Sequence, residues 1–412
     1  LTAEAAEQAE QTKPARLAPT LAALTLARLM LNGARRFPYV ILTPMAAALG
    51  VPRSTLETAL SLEWATGAIS PFAGPYIDRL GRKTIMLIGI GSLAFFAGIA
   101  ALGQVAGVIL FVLIATGLSK VLYDPAMQAY VGDRTPYRLR GMAIGITELS
   151  WSGALFVFGP LAAFLIDRGT VSAIFAVVAA GAALSFLLLA ALLPNDAPRR
   201  FSDGAGVQAR AMLRLLRDSR PAMALLIAAA LMSVAAESMV IVYEAWLRNV
   251  FALSTVALGT LSWVISLAEV SGEGFVIGVA DRLGKRRLAI AGLVATGICY
   301  FALPLTAGSL PAAVIALLLM FLTFEISIVV LIPVATEALP TARGTMMSSN
   351  VAALAGGRAI GTLVGGLLFR TGGYALNGTL ALLLNLIAAL LIWRFVHEYA
   401  GHQSAPATEP LP

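Results

Sequence analysis

GPYIDRLGRKTIM, residues 74–86, and GVADRLGKRRLAI, residues 278–290, decide the fold. Asp78 and Asp281 stand 203 residues apart, and the same offset carries Gly81 onto Gly284. It also carries the Arg140-Gly141 pair of YRLRG onto Arg343-Gly344 of PTARG. An ungapped offset shared by separate segments marks an internal repeat, so the chain reads as two similar halves. In each copy a charged loop separates two apolar runs, and glycine lets the chain reverse within a few residues.

The runs outside these loops are long. Of 412 residues, 59% are apolar and 12% charged, against about 25% charged in ordinary globular chains. Windows of about 20 apolar residues span ~30 Å of hydrocarbon. They fall at 18–48, 55–75, 84–103, 106–130, 142–166, 171–193, 222–248, 255–277, 288–307, 310–336, 345–369 and 374–396. The expected fold class is an all-α membrane protein, with twelve transmembrane helices in two pseudo-symmetric six-helix halves around a central cavity. The expected divisions are a tail over 1–17, a first bundle over 18–193, a linker over 194–221, a second bundle over 222–396 and a tail over 397–412.

Basic residues set the orientation. Of 29 Lys and Arg, Arg53, Arg168, Arg248 and Arg370 fall at one side of the helices, and five lie inside them. The other twenty share a side with both tails. This bias predicts a plasma-membrane protein with both termini cytoplasmic, and it explains the net charge of +7 without nucleic acid. In the linker, Arg210, Arg214, Arg217 and Arg220 share one side of a helix, suited to anionic lipid heads. One cysteine, Cys299, and two histidines, His397 and His402 in the tail, predict no disulfide within the chain, no metal site and no cofactor. Nothing matches a nucleotide-binding GxxxxGK[ST] loop, so energy is expected from a gradient.

These residues also carry a resemblance. The loop with Gly74, Asp78, Arg79, Gly81, Arg82 and Lys83 resembles the signature loop that the major facilitator superfamily places between helices 2 and 3. DRLGKR, with Asp281, Arg282 and Gly284, is similar to its counterpart between helices 8 and 9. Asp133 ahead of Arg140-Gly141 fits the end of helix 4, with Glu337 and Arg343-Gly344 as its repeat partner. The resemblance covers the whole chain and implies a solute transporter, though no particular substrate. It also implies that Asp78 meets the N-terminus of helix 11. Arg79, Arg82 and Lys83 are placed to pair with Asp133. Together with Arg140, Asp281, Arg282 and Gly284, these residues are expected to hold the cytoplasmic side closed through contacts of ~1–3 kcal/mol. The plainer alternative is that they serve only as turns and positive anchors. GALFVFGP, residues 153–160, partly resembles the glycine-proline motif of the family's antiporters, although Ala162, Ala163 and Phe164 stand where that pattern continues with glycine.

Thirteen charged residues fall inside the helices. They are Arg28, Arg35, Arg36, Lys120 and Arg358, with Glu63, Asp124, Glu148, Glu237, Glu244, Glu269, Glu273 and Glu325. At ~2.5–3.5 kcal/mol each at a helix centre, exposure to lipid would cost on the order of 40 kcal/mol as an upper figure. They must face one another or a wet cavity. On helix 1, Arg28, Asn32, Arg35 and Tyr39 follow i, i+4, i+7, i+11 and form one stripe. Arg36 is turned from Arg35 by about 100°. Arg35 is therefore expected to face the cavity, and Arg36 to be tied to a carboxylate within the first half. Lys120 and Asp124 are spaced to pair on helix 4. The first half carries four intramembrane bases against three acids, and the second one against five.

The arginines can hold a carboxylate or phosphate through two bonds. Substrate contact is expected of Asn32, Arg35, Arg36, Tyr39, Lys120, Tyr123, Trp151 and Arg358, with Trp246 and Trp263 as further candidate lining. Proton coupling is expected of Asp124, Glu148, Glu237, Glu269, Glu273 and Glu325, because the second half has more acids than bases. The small residues of GGRAIGTLVGG, 356–366, suit close helix packing. The expected function is secondary active export of an anionic or amphiphilic small molecule in exchange for protons, by a monomer whose other partners are membrane lipids. A lipid or glycolipid head-group mover and an uncoupled facilitator share this fold and stay open. A membrane-embedded enzyme is remote, because the outer loops are short and contain no histidine.

Overall fold

A bilayer offers no partner to a free backbone amide, so apolar runs satisfy their own hydrogen bonds as helices. The computed structural model describes residues 14–70, 80–135, 137–194, 214–339 and 343–396. The first half begins with α1, in two segments Pro14–Val40 and Leu42–Leu49, and α2, Arg53–Ala65 with the 3-10 turn Thr66–Ile69. It continues with α3 Arg82–Ala101, α4 Ala106–Arg134, α5 Tyr137–Glu148 and Ser150–Asp167, and α6 Val171–Leu192. The second half holds α7, Arg220–Val240 and Tyr243–Phe251, then α8 Thr255–Leu283 and α9 Lys285–Ala302. It ends with α10 Leu310–Ala338 and a helical stretch Arg343–Phe395. That stretch turns at Gly373 (φ 69°, ψ −176°) into α11 and α12.

Nine stretches among the described residues are long and apolar enough to cross a membrane, and the last of them contains both α11 and α12. The remaining two helices, α1 and α2, carry Arg35, Arg36 and Glu63, three of the charges at the site. Large apolar side chains such as Phe95, Leu187, Leu267 and Leu390 point outward, where lipid covers them.

The repeat is visible in the backbone. Gly81 precedes α3 with φ 83° and Gly284 precedes α9 with φ 84°, the same left-handed entry in both halves. The first helix of each half also breaks at matching depth, α1 at Ile41 and α7 at Ile241–Val242. At the α7 break the freed carbonyls find side chains. Asn377 Nδ2 donates to Ser238 O at 2.8 Å, Tyr374 Oη to Met239 O at 3.3 Å and Arg53 Nη2 to Ile241 O at 2.6 Å. This fixes Tyr243 and Glu244 facing inward, both buried.

The halves meet where α2 crosses α11 and where α5 crosses α8, contacts that the repeat exchanges. Inside the second half, a β-carbon at Gly357, Gly361 or Gly365 would come within 2.4, 2.7 or 2.7 Å of α7 backbone atoms. Those glycines therefore let α11 lie against α7, which places Arg358 beside Glu237.

Candidate functional site

A cavity lies between the halves. Its lining includes Arg35, Arg36 and Tyr39 from α1, Trp64 from α2 and Trp151 from α5. From the second half come Glu237, Tyr243, Glu269, Phe321, Phe324 and Arg358. Every guanidinium here is answered by a carboxylate. Arg35 Nε meets Glu63 Oε1 at 2.8 Å, Arg358 Nη1 meets Glu237 Oε2 at 3.1 Å, and Arg36 grips both oxygens of Glu269 at 2.8 and 2.6 Å. Aromatic faces hold the cations as well. The Arg35 and Arg358 guanidinium carbons lie 3.6 and 4.5 Å from the Trp64 ring centre, and that of Arg36 lies 4.4 Å from Trp151. Trp64 Nε1 donates to Tyr39 Oη at 2.7 Å. Glu63 Oε2 and Glu237 Oε1 are buried and, among the described residues, accept no hydrogen bond.

The expected partner of Arg36 was a carboxylate of its own half; the structure gives it one of the other. Being turned from the α1 stripe, Arg36 points past its own bundle to α8, which α1 touches. The imbalance of acids and bases between the halves is thereby reduced, since Glu269 draws on a first-half base. Glu244 does the same with Arg53, whose Nη1 lies 2.8 Å from Oε2. Glu273 and Glu325 are left without an ion-pair partner among the described residues, and Glu325 is 5% exposed. Gly272 of α8 abuts it closely, so Glu325 lies beside Glu269 and Glu273.

Toward the Gly81 and Gly284 end, hereafter the motif face, the α1 stripe continues into a second cluster inside the first half. Arg28 Nη1 meets Glu148 Oε1 at 2.7 Å and its Nε meets Asp124 Oδ1 at 3.4 Å. Lys120 Nζ meets Asp124 Oδ2 at 2.7 Å, the pair expected from spacing, and also donates to Asn32 Oδ1 at 2.6 Å. Asn32 in turn donates to Ser150 Oγ at 3.1 Å. Asn32 and Lys120 therefore stand beside the cavity rather than in its lining. Tyr123 is fully buried and donates to Leu24 O, away from the cavity. Trp246 stacks on Tyr374, and the exposed Trp263 donates to Phe156 O.

The expected gating residues divide. Gly74, Asp78 and Arg79 lie outside the described residues, as do the side chains of Arg140 and Asp281. Arg282 is exposed at the end of α8. Arg82 pairs with Asp133, joining α3 to α4, and Lys285 Nζ meets Glu337 Oε1 at 2.7 Å, joining α9 to α10. Lys83 Nζ donates to the α6 carbonyls of Ala190 at 2.8 Å and Leu193 at 2.5 Å. These described contacts fasten helices within one half.

Charged contacts between halves also stand at the opposite face, the side on which the sequence placed Arg53, Arg248 and Arg370. Glu244 is fully buried and accepts from Thr43 at 2.8 Å, Arg53 at 2.8 Å and Arg248 at 3.0 Å. Arg53 Nε also meets Glu57 Oε1 at 3.2 Å, and Glu57 Oε2 receives Arg370 Nη1 at 2.6 Å. Gly366 makes room for that carboxylate, since a β-carbon there would lie 2.1 Å from Glu57 Oε2. The missed signal was position. Glu57 and Arg53 are four apart on α2, Glu244 and Arg248 four apart on α7, which is ion-pair spacing on both helices.

Comparison with known proteins agrees with this architecture. The family model described as Major Facilitator Superfamily matches residues 24–336. The uncharacterized MFS-type transporter YceJ of Bacillus subtilis (strain 168) is 27% identical over 341 residues, covering 81% of this chain and 84% of that protein. Multidrug resistance protein 2 of the same organism is 35% identical over 91 residues, 22% of each chain. The crystal structure of a D-xylose-proton symporter superposes with a TM-score of 0.72 at 16% identity, over 92% of this chain and 98% of that one. The chain is an integral membrane transporter and belongs to the Major Facilitator Superfamily.

Proposed function

We propose that the chain is a proton-coupled secondary transporter that exports an anionic or amphiphilic small molecule through this cavity. Both termini and the motif face are then cytoplasmic, and the opposite face is the one closed by the Arg53–Glu244 and Arg370–Glu57 pairs. The observation that carries the reading is the cavity lining: three guanidiniums among six aromatic rings, set between two halves. Fixed cations beside apolar faces suit a ligand with one charged head and one apolar body.

Coupling is supported by the buried Glu325 and the half-buried Glu273 beside it, which have no ion-pair partner among the described residues. A carboxylate buried without a cation is costly, and a bound proton relieves that cost. Displacement of such a proton by substrate is the step that gives exchange. Export is supported by the similarity to Multidrug resistance protein 2 and by GALFVFGP.

The test uses inverted membrane vesicles with an imposed pH gradient and a panel of anionic and neutral amphiphiles. Wild type is expected to accumulate a member of the panel while dissipating the gradient. Glu325→Gln is expected to abolish gradient-driven accumulation and to retain substrate exchange across the membrane. Full gradient-driven accumulation by Glu325→Gln would remove that residue from the coupling.

A further inference from the structure

Arg36 already holds a carboxylate. Glu269 accepts from Nη1 at 2.8 Å and from Nη2 at 2.6 Å, the two-bond fork with which arginine takes a free carboxylate. Nη1 also donates to Trp151 O at 3.0 Å, and the guanidinium lies over the Trp151 ring. The fork is thus fixed on the α1 and α5 side, and its carboxylate is supplied by the other half. Tyr39, Tyr243, Leu155 and Phe321 line the same cavity.

Resting on the transport reading above, we infer that Glu269 is an internal substitute for substrate at Arg36. A monocarboxylate with an aromatic body displaces it, and the freed Glu269 takes a proton from water. Charge balance gives this exchange its sign. Arg35 is matched by Glu63, Arg358 by Glu237 and Arg36 by Glu269. A second carboxylate at Arg36 leaves one acid in excess. The groups that face Glu269 besides Arg36 are Tyr243 of α7, Glu325 of α10 and Glu273 one turn along α8, and none of them is a cation. A proton on Glu269 restores neutrality where an unpaired buried carboxylate is unfavourable.

For a carboxylate, substrate and proton therefore load together and cross as a neutral pair. The exchange at Glu325 proposed above therefore applies to amphiphiles that carry no carboxylate. A dicarboxylate brings a charge that nothing in the cavity answers, so monocarboxylates are preferred. Release of the Arg36–Glu269 pair also frees the two halves from each other at the cavity.

The test is calorimetric titration of the full chain in detergent with naphthalene-2-carboxylate, at pH 7 in two buffers of different protonation enthalpy. Wild type is expected to take up about one proton per ligand bound. The uncharged naphthalene-2-carboxamide is expected to take up none. Glu269→Gln is expected to bind the carboxylate about tenfold more tightly with no proton uptake, because a competitor occupying Arg36 in about nine-tenths of molecules weakens apparent affinity by that factor. Arg36→Lys keeps the charge without the fork and is expected to weaken binding by about tenfold. Proton release, absent linkage in wild type, or uptake retained by Glu269→Gln overturns the inference, and so does a carboxylate that binds none of these proteins. Vesicle transport of other amphiphiles would then still stand by itself. Carboxylate binding with proton uptake, but no transport of any compound, would instead sink the transport reading.

Discussion

The two ends of the bundle use the same chemistry on different partners. At the motif face, Arg82 pairs with Asp133 and Lys285 with Glu337, each inside one half. At the opposite face, Arg53 pairs with Glu244 and Arg370 with Glu57, and both of those contacts cross between halves. A pair within a rigid body survives rotation of that body, whereas a pair between two bodies is broken by it. The difference teaches that an ion pair's role here follows from the bodies it joins. Among the described residues, motif-face pairs fasten helices of one half, and on the proposed mechanism the opposite-face pairs set the balance between open and closed arrangements.

The strongest way to break this comparison is Glu244→Gln. The wild-type carboxylate is fully buried and accepts from Thr43, Arg53 and Arg248. Removing its charge leaves two guanidiniums facing a neutral amide, at a cost to the closed arrangement of about 3 kcal/mol. Even ~1 kcal/mol of differential stability shifts a two-state population about fivefold. The readout is labelling of Val240→Cys, a cavity position, by an impermeant maleimide from the opposite face, in a Cys299→Ser chain. Labelling is expected to rise at least about fivefold. An unchanged rate would mean that these bridges do not close the face.

This asymmetry was only partly legible in the sequence. Lipid forces long apolar runs, so twelve helices and two halves could be read directly, and the 203-residue offset located Gly81 and Gly284, with Asp133 and Glu337 one residue out of that register. Helical period likewise gave the α1 stripe and the Lys120–Asp124 pair. What period cannot give is the neighbour across an interface. Arg36 was known to leave the stripe, yet only the placement of α8 against α1 shows that it meets Glu269. The break in α7 was hidden for a related reason. No glycine or proline marks Ile241–Val242, and the donors that satisfy it come from Arg53, Tyr374 and Asn377, distant in sequence. Arg53 and Arg370 fell outside the thirteen intramembrane charges, but the ends of α2, α7 and α11 converge and their charges meet Glu244 and Glu57 there.

A second test sharpens the motif-face side of the comparison. Gly81 (φ 83°, ψ 147°) and Gly284 (φ 84°, ψ 127°) hold a conformation that side chains with a β-carbon resist. Gly81→Ala and Gly284→Ala are each expected to lose about 1–3 kcal/mol, seen as a lower thermal midpoint. Because the two turns share one geometry, the losses should match within about 0.5 kcal/mol. Val240→Cys labelling should stay at the wild-type rate in both. A large loss in one variant alone would show that the two turns support their halves unequally.

The smallest effects come from the two rim pairs, one within a half and one between halves. Glu337 and Arg370 are both near half exposed, with side chains 45% and 49% accessible. The Lys285–Glu337 pair is open to water on both sides and contributes about 0–1 kcal/mol, whereas Glu57 is 3% accessible and, among the described residues, keeps only Arg53 when Arg370 is removed. Glu337→Gln should therefore lower the thermal midpoint only slightly, and Arg370→Gln more, because it leaves the buried Glu57 with one cation. They should also part on labelling. Glu337→Gln breaks a contact between α9 and α10 of one half, and Val240→Cys should react as before. Arg370→Gln frees Glu57 of the other half, and the same cysteine should react up to about threefold faster from the opposite face, scaled to the loss of a weak bridge. Equal labelling of the two variants would mean that crossing between halves carries no special consequence at the bundle rim, and that the buried Glu244 alone governs closure.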